Sequence, residues 1–167
     1  MAAKQANAPM RVRRTIKLSS HDYRLLAEFR YLLAKFLAFS EAAAQDAGLS
    51  PRQHQALLAI KGFADGADVS VGDLAERLNI RHHSAVGLID RLVASGYLLR
   101  RTDPNDRRRI FVVLTLAGEK KLATLSAIHR DELQRLTPLL KPLLAQIAAP
   151  AGRNAQEKGP AEDISRT

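Results

Sequence analysis

The hydrophobic positions between residues 70 and 116 change their spacing along the chain, and these changes predict two short helices followed by a β-hairpin. Apolar side chains recur at helical spacing in two runs, 71–78 and 86–93, with a short polar turn between them. Ser70 is placed to cap the first helix, and Ser95-Gly96 can end the second. The pattern therefore predicts a helix-turn-helix.

Beyond this unit the spacing changes to that of extended strands. The β-branched and aromatic run 110–114 follows a shorter apolar run at 97–99, and the turn-forming segment TDPNDR lies between them. Val69 is a candidate for a further short strand of the same sheet, and Thr115 stands where the N-cap of a last helix belongs. A helix-turn-helix followed by such a hairpin, or wing, predicts a mainly α fold with a small β wing: a winged helix-turn-helix DNA-binding domain.

Two helices are predicted before this unit. Ser19 or Ser20 can cap a long helix that runs to about Gln45. A second helix begins at Ser50-Pro51, where a proline in the first turn costs no hydrogen bond, and runs to about Lys61. Apolar side chains along one face of the first helix indicate that this helix packs against others.

After the wing, a helix is predicted from Thr115 to about Leu136. Thr137-Pro138 is then expected to open a separate, short apolar segment, because proline interrupts a helix. The apolar side chains of this segment either close the core of one chain or pack against a second subunit, and a homodimer is the preferred interpretation. The polar compositions of residues 1–18 and 150–167 predict a basic disordered arm and a disordered tail.

The composition argues against several classes of protein. The chain has 167 residues, enough for one domain, and it contains no cysteine for disulfides or thiolate chemistry. It has no apolar run of roughly 20 residues that could cross a bilayer, and its first residues lack the apolar segment of a signal peptide, so we expect a cytoplasmic protein. Without a Gly-rich phosphate loop, a nucleophile motif or a metal-spaced ligand cluster, neither an enzyme nor a cofactor is expected.

The formal charge of +9 is unevenly distributed along the chain. Residues 1–18 carry five cations and no acid, and residues 77–109 carry eight arginines against three aspartates, whereas the rest is close to neutral. Surplus positive charge in an arm and in the predicted winged helix is typical of a protein that binds a polyanion.

Four motifs of the unit occur in the order and at the spacing of one family. LAERLNI, SAVGLIDRLVASGYL, DPNDRRR and VVLTLAGEKKL lie between residues 74 and 122, and together they resemble the MarR family of winged-helix transcriptional regulators. The resemblance implies a domain over 19–149, with its winged helix-turn-helix core at 50–116 and dimerisation helices at 19–46 and 117–149.

The predicted base contacts lie at the start of the second helix of the unit, because the N-terminal residues of a helix in the major groove reach the base edges. Arginine can pair with guanine, imidazole can donate to purine acceptors or phosphate, and valine can contact a thymine methyl group. The candidates are Arg81, His82, His83, Ser84, Val86, Gly87 and Arg91. One alternative is that the adjacent histidines are merely exposed to solvent, and another is that they form a metal site. The metal site is the less favoured of the two, because consecutive helical residues point about 100° apart and no third ligand is nearby.

The wing carries five arginines, which can enter a narrow minor groove at the hairpin tip or reach phosphates from its strands. These candidates are Arg100, Arg101, Arg107, Arg108 and Arg109, and they surround Asp103 and Asp106. The MarR resemblance implies, through its D-x-R pattern, that Asp106 steadies the loop and that Arg108 contacts DNA. The alternative is a merely solvated, charged hairpin.

Other charged residues have less specific interpretations. Asp90-Arg91 and Glu76-Arg77 are interpreted as ion pairs on helix surfaces. The MarR resemblance implies an effector site, and four residues lie on the helices that border a ligand crevice in such proteins: Tyr23, Arg24, Arg30 and His54.

The function predicted from these features is that of a sequence-specific regulator of transcription. It would be a homodimeric repressor that binds a pseudo-palindromic operator in double-stranded DNA and is released by a small-molecule effector. The alternative is a winged-helix module for protein interaction or DNA architecture, without operator specificity. Affinity that collapses with salt would favour nucleic acid as the partner.

Overall fold

The computed structural model describes residues 18–63, 68–104, 106 and 109–149. In chain order its elements are α1 (Ser20–Asp46), α2 (Pro51–Lys61), β1 (Val69–Ser70), α3 (Val71–Arg77), α4 (His82–Ala94), β2 (Leu98–Thr102), β3 (Ile110–Leu114) and α5 (Leu116–Ala148). The chain divides into two compact units: unit 1 comprises Met1–Tyr31 and Leu139–Thr167, and unit 2 comprises Leu32–Pro138.

Three helices of unit 2, α2, α3 and α5, begin at the side-chain caps that the sequence predicts. Ser50 Oγ accepts a hydrogen bond from the backbone N–H of Gln53 at 3.2 Å, and Gln53 Oε1 accepts one from the N–H of Ser50 at 2.8 Å. The same reciprocal capping box joins Ser70 and Asp73 at the start of α3. At the start of α5, Thr115 Oγ1 accepts from the backbone N–H three residues further on at 3.0 Å. These caps satisfy N–H groups that the first turn of a helix leaves without partners.

Left-handed residues end α1 and α4 and form the turn between α3 and α4. Gly48 has φ +75° after α1, and Gly96 has φ +73° after α4. Asn79 adopts φ +50° in the predicted polar turn, a conformation that asparagine tolerates better than most residues. The predicted ends of both helices are confirmed.

The two strands of the wing, β2 and β3, form a three-stranded antiparallel sheet together with β1, in the order β1-β3-β2. Val69 pairs with Val112, which confirms the short additional strand, and Leu98 pairs with Leu114. Because residues directly opposite each other share a face of a sheet, this register places Leu98 and Val112 on the same side, where both are buried.

The core of unit 2 lies where α2, α3, α4, the sheet and the first part of α5 meet. Its largest fully buried side chains are Leu57, Leu74, Ile89, Leu92, Leu98, Val112 and Leu125. Ile89 and Leu92 belong to α4, so the apolar face of this helix holds it against the rest of unit 2. Removing one such side chain costs about 2–5 kcal/mol, which makes the core the main determinant of where α4 lies.

The expectation that Thr137-Pro138 opens a separate segment is wrong, because α5 continues as one helix to Ala148. Leu136 and Leu143 lie seven residues apart on one helical face and both are buried, so a continuous helix buries both. Pro138 deprives the carbonyl of Gln134 of its helical hydrogen bond, but Gln134 is exposed and water can replace the missing donor. Burial of the apolar face outweighs the helix-breaking tendency of proline.

In unit 1 the structure describes residues 18–31 and 139–149. Ser19 Oγ accepts from the N–H of Asp22 at 3.2 Å and donates to its carboxylate at 2.7 Å. The hydrogen bonds from the side chain and then from the backbone of Ser19 hold the pKa of Asp22 below its usual value. Among the described residues, no helix combines the length and apolar character required to span a membrane.

Candidate nucleic-acid interface

The first turn of α4 presents polar side chains to solvent. Arg81 is the N-cap residue, but its side chain makes no capping hydrogen bond. His82, His83 and Ser84 follow it, and all four side chains are exposed. Because no side chain caps the helix, backbone N–H groups of the first turn face solvent at the positive end of the helix dipole. Such a helix start can hold an anion.

The exposed face of α4 continues one turn further, through Gly87 to Arg91. Nη1 of Arg91 lies 3.7 Å from the position that a β-carbon on Gly87 would occupy, so the guanidinium group lies close to the bare backbone of Gly87. Val86 and Gly87 are half-buried. Base contact by these two residues stays a prediction.

The cations on this face are not neutralised by acidic side chains. Within the described part of the chain, no ion pair involves Arg81, His82, His83 or Arg91. The face therefore has both the charge and the hydrogen-bond donors that phosphate and purine acceptors require.

The three wing arginines whose side chains are described all form ion pairs with aspartates. Arg100 Nη2 lies 2.6 Å from Oδ1 of Asp90, which belongs to α4. Arg101 pairs with Asp68, the residue before β1, and Arg109 Nη1 lies 3.8 Å from Oδ2 of Asp103. These pairs connect the wing strands to α4, to β1 and across the hairpin loop.

The ion pair with Arg100 corrects the sequence interpretation of Asp90. Among the described residues its partner is Arg100 on β2 rather than its neighbour Arg91, because consecutive residues of a helix point in different directions. The guanidinium group of Arg77, assigned to an ion pair with Glu76, lies 5.9 Å from the ring centroid of Phe63. A positive charge at that distance from an aromatic face is attracted by the ring.

The loop of the wing is described only in part. The N–H of Arg109 donates to the carbonyl of Asp106 at 2.9 Å, and the N–H of Asp103 donates to the carbonyl of Arg109 at 3.0 Å. These bonds close the loop at its base. Arg107 and Arg108 lie outside the described residues, so the contact assigned to Arg108 and the steadying role of the Asp106 side chain stay predictions.

The proposed effector residues fall in different units. Tyr23, Arg24 and Arg30 are exposed on the part of α1 that belongs to unit 1, whereas His54 is buried in unit 2. His54 lies against His129 of α5, with the ring centroids 4.6 Å apart. Sequence analysis missed His129, because no motif connects two histidines on separate helices. The described residues contain no group of three or more potential metal-ligating side chains.

The fold and this interface define a winged helix-turn-helix protein, and the family model described as MarR family matches residues 47–109. The uncharacterized HTH-type transcriptional regulator YcgE of Bacillus subtilis is 34% identical over 97 residues, which cover 58% of this chain and 61% of that protein. The HTH-type transcriptional regulator FarR of Neisseria gonorrhoeae is 31% identical over 97 residues, covering 53% and 66%. The chain thus spans less than two thirds of the length of these curated relatives.

A solved structure has the same fold. A mutant of Staphylococcus aureus MepR bound to an oligodeoxyribonucleotide is similar with a TM-score of 0.60 at 17% identity, covering 78% of this chain and 96% of that chain. At that identity the likeness shows the fold alone, while the MarR family model matches residues 47–109.

Proposed function

We propose that this protein is a transcription regulator that binds double-stranded DNA sequence-specifically, with α4 in the major groove. The observation that carries the proposal is the exposed first turn of α4, whose basic side chains form no ion pair within the described chain. The names of YcgE and FarR as transcriptional regulators, and the oligodeoxyribonucleotide bound to MepR, support the same function.

The chemistry of the interface divides the proposed contacts between bases and phosphates. Arg81 can pair with guanine, and His82 and His83 can donate to purine acceptors. Arg91 is one turn further along the helix, where a guanidinium group can reach a phosphate. The wing arginines Arg107 and Arg108 are proposed to contact the minor groove or phosphates beside it.

The exposed apolar side chains of unit 1 support a homodimer. Tyr23 is 62% exposed and Leu139 is 57% exposed, and the other large apolar side chains exposed in this unit are Leu18, Leu26, Tyr31 and Leu144. A second copy of the chain is the proposed occupant of these surfaces. A two-fold dimer would place two copies of α4 about one DNA turn, roughly 34–36 Å, apart, so the operator would be a pseudo-palindrome.

The dimer can be tested without cutting the chain. We expect the double substitution Leu139→Asp with Leu144→Asp to produce a monomer, because both side chains are exposed and charges there would oppose burial against a second subunit. Leu58→Asp is the matched control, since Leu58 is 49% exposed on α2 in the other unit. Sedimentation of a wild-type monomer at micromolar concentration would contradict the dimer.

The proposed function also includes repression of transcription and release of the protein from DNA when a small-molecule effector binds. Unit 2 has an open, mostly apolar pocket of about 460 Å³, lined by Phe39, Ala42, Ala43, Asp46, Ala47 and Ile128. This volume is within the range of small-molecule sites, which supports a small, largely apolar effector. Tyr23, Arg24, Arg30 and His54 stay additional candidates for effector contact.

Selection of bound sequences from random duplex DNA tests the proposed function. We expect one recovered motif with two-fold symmetry and half-site centres about 10 bp apart. Binding without any sequence preference would favour the alternative of an architectural module, and the absence of duplex binding would overturn the proposal.

A further inference from the structure

Two histidines meet in the interior of unit 2. His54 of α2 is 4% exposed and His129 of α5 is 9% exposed, and their rings are inclined by 37° at a centroid distance of 4.6 Å. The ring of His129 also meets Phe36 and Phe39 of α1 edge-on, at centroid distances of 6.1 and 6.0 Å. The histidine pair therefore lies where three helices of unit 2 pack together.

The two imidazoles differ in their hydrogen bonds. Nδ1 of His129 lies 2.6 Å from the carbonyl oxygen of Leu125, which can only accept, so this nitrogen carries a proton. Nε2 of His129 lies 2.7 Å from Ser40 Oγ and accepts from it when the ring is neutral. Nε2 of His54 is buried and has no hydrogen-bond partner among the described residues. Protonation would therefore give His54 an N–H group without an acceptor.

The surroundings of His54 oppose a positive charge. Burial, and then the charge of His129, lower the pKa of His54 below its usual value of 6.5. The α1 side chains in this cluster are Phe36, Phe39 and Ser40, none of which ionises near neutral pH. Within the described chain, no carboxylate contributes to the shift. A protonated His54 would thus be buried without compensation, which is costly.

The same helix that carries His54 also supports α4. Leu57 and Ile60 of α2 belong to the core cluster that contains Leu88 and Ile89 of α4. A displacement of α2 would therefore disturb the apolar contacts that hold the proposed DNA-binding helix.

We propose that the His54–His129 pair is an acid-sensitive contact, and that protonation of His54 loosens α2 from α1 and α5 and weakens DNA binding by α4. The effect on DNA rests on the proposed function. The unfolded chain takes up the proton near pH 6.5, whereas folded His54 resists it, so folding stability is full above about pH 6.5 and falls as the pH falls below it.

The exposed histidines of α4, His82 and His83, belong to the proposed DNA interface. Both are therefore replaced by alanine before the pH dependence of DNA binding is compared, so that any change comes from the rest of the chain.

The first measurement uses the full chain without DNA, by urea unfolding at pH 7.5 and 5.5. We expect the unfolding equilibrium constant of the wild type to rise severalfold in acid, because the unfolded chain binds the proton more readily than folded His54 does. His54→Phe, which keeps an aromatic ring, should remove most of this rise, and the exposed-site control His83→Ala should keep it. An undiminished rise of the unfolding constant in His54→Phe would overturn the proposal.

If His54→Phe does not fold, NMR titration of the His54 ring in the wild type tests the proposal instead. A measured pKa of His54 at or above 6.5 would contradict the proposal.

The second measurement compares affinity for a random-sequence 30-bp duplex at the same two pH values and constant ionic strength. In the His82→Ala, His83→Ala background we expect weaker binding at pH 5.5, and His54→Phe in that background should make binding nearly independent of pH. Equal or tighter binding in acid in that background would overturn the link to DNA. No binding at pH 7.5 would contradict the proposed function, while the unfolding measurement would still test the histidine pair.

Discussion

The start of α4 and the strands of the wing both carry arginines, but their surroundings are opposite. Arg81 and Arg91 are exposed and form no ion pair in the described part of the chain. Arg100 and Arg101 are held by Asp90 and Asp68. A guanidinium group that is already paired with a carboxylate must give up that carboxylate to contact a phosphate. It therefore contributes less free energy to DNA binding than an unpaired guanidinium group does.

This difference changes how the charge of the chain is interpreted. The sequence contains eight arginines between residues 77 and 109, and this number alone suggests many DNA contacts. The structure instead gives three of them ion pairs that connect the wing to α4, to β1 and across its own loop. We therefore expect the described wing arginines to position the wing, and the cations of α4 to contribute most of the affinity.

The largest effect on binding is expected from Arg81→Ala. Loss of a bidentate contact with guanine should weaken binding to the selected operator by about 1–3 kcal/mol. Stability should change little, because the side chain is exposed and makes no capping hydrogen bond. Fluorescence anisotropy with the operator and with a scrambled duplex measures the difference. An equal loss on both duplexes would show that Arg81 contacts phosphate instead of a base.

His82→Ala and His83→Ala should change sequence preference more than non-specific affinity. Both side chains are exposed at the start of α4, where base edges are reached, and a mismatched base pair costs about 1–3 kcal/mol. Repeating the selection with each variant tests this expectation. If both variants recover the wild-type motif unchanged, these histidines do not read bases.

Arg108→Ala should weaken binding with little change in stability. The MarR resemblance assigns a DNA contact to this residue, and loss of one phosphate contact should reduce the salt slope of the logarithm of affinity by about 1. Affinity measured at several salt concentrations gives the slope. An unchanged affinity and slope would remove Arg108 from the interface.

The smallest effects are expected from the ion pair between Asp90 and Arg100. Asp90→Asn should cost at most about 1 kcal/mol of stability, because both side chains are partly exposed and such pairs contribute little. It should also free Arg100 for phosphate and make the salt slope slightly steeper. Urea unfolding and salt titration of the same variant test both effects, and a shallower slope would contradict this view of Arg100.

Most of the fold could be predicted because its signals are local. The caps at Ser50, Ser70 and Thr115 act within one turn, and Gly48 and Gly96 end helices through their own backbone conformation. The course of α5 was wrongly predicted, because the local tendency of proline opposed the burial of a continuous helical face, which the sequence pattern does not reveal.

The interface could be predicted only in part, for a related reason. The position of the polar side chains at the start of α4 follows from helix spacing alone. The ion pair of Arg101 joins residues 33 positions apart, and the contact between His54 and His129 joins two separate helices. Such contacts depend on the packing of elements that are distant in the sequence, so no sequence motif predicts them.

The most direct test of the account is the salt dependence of duplex binding by the wild type, Arg91→Ala and Arg100→Ala. We predict that wild-type affinity falls steeply with salt, because phosphate contacts release counterions. Arg91→Ala should reduce the slope by about 1, and Arg100→Ala should reduce it by much less. Wild-type binding that does not respond to salt, or a larger loss of slope in Arg100→Ala than in Arg91→Ala, would contradict the central claim that the free cations of α4 carry DNA binding.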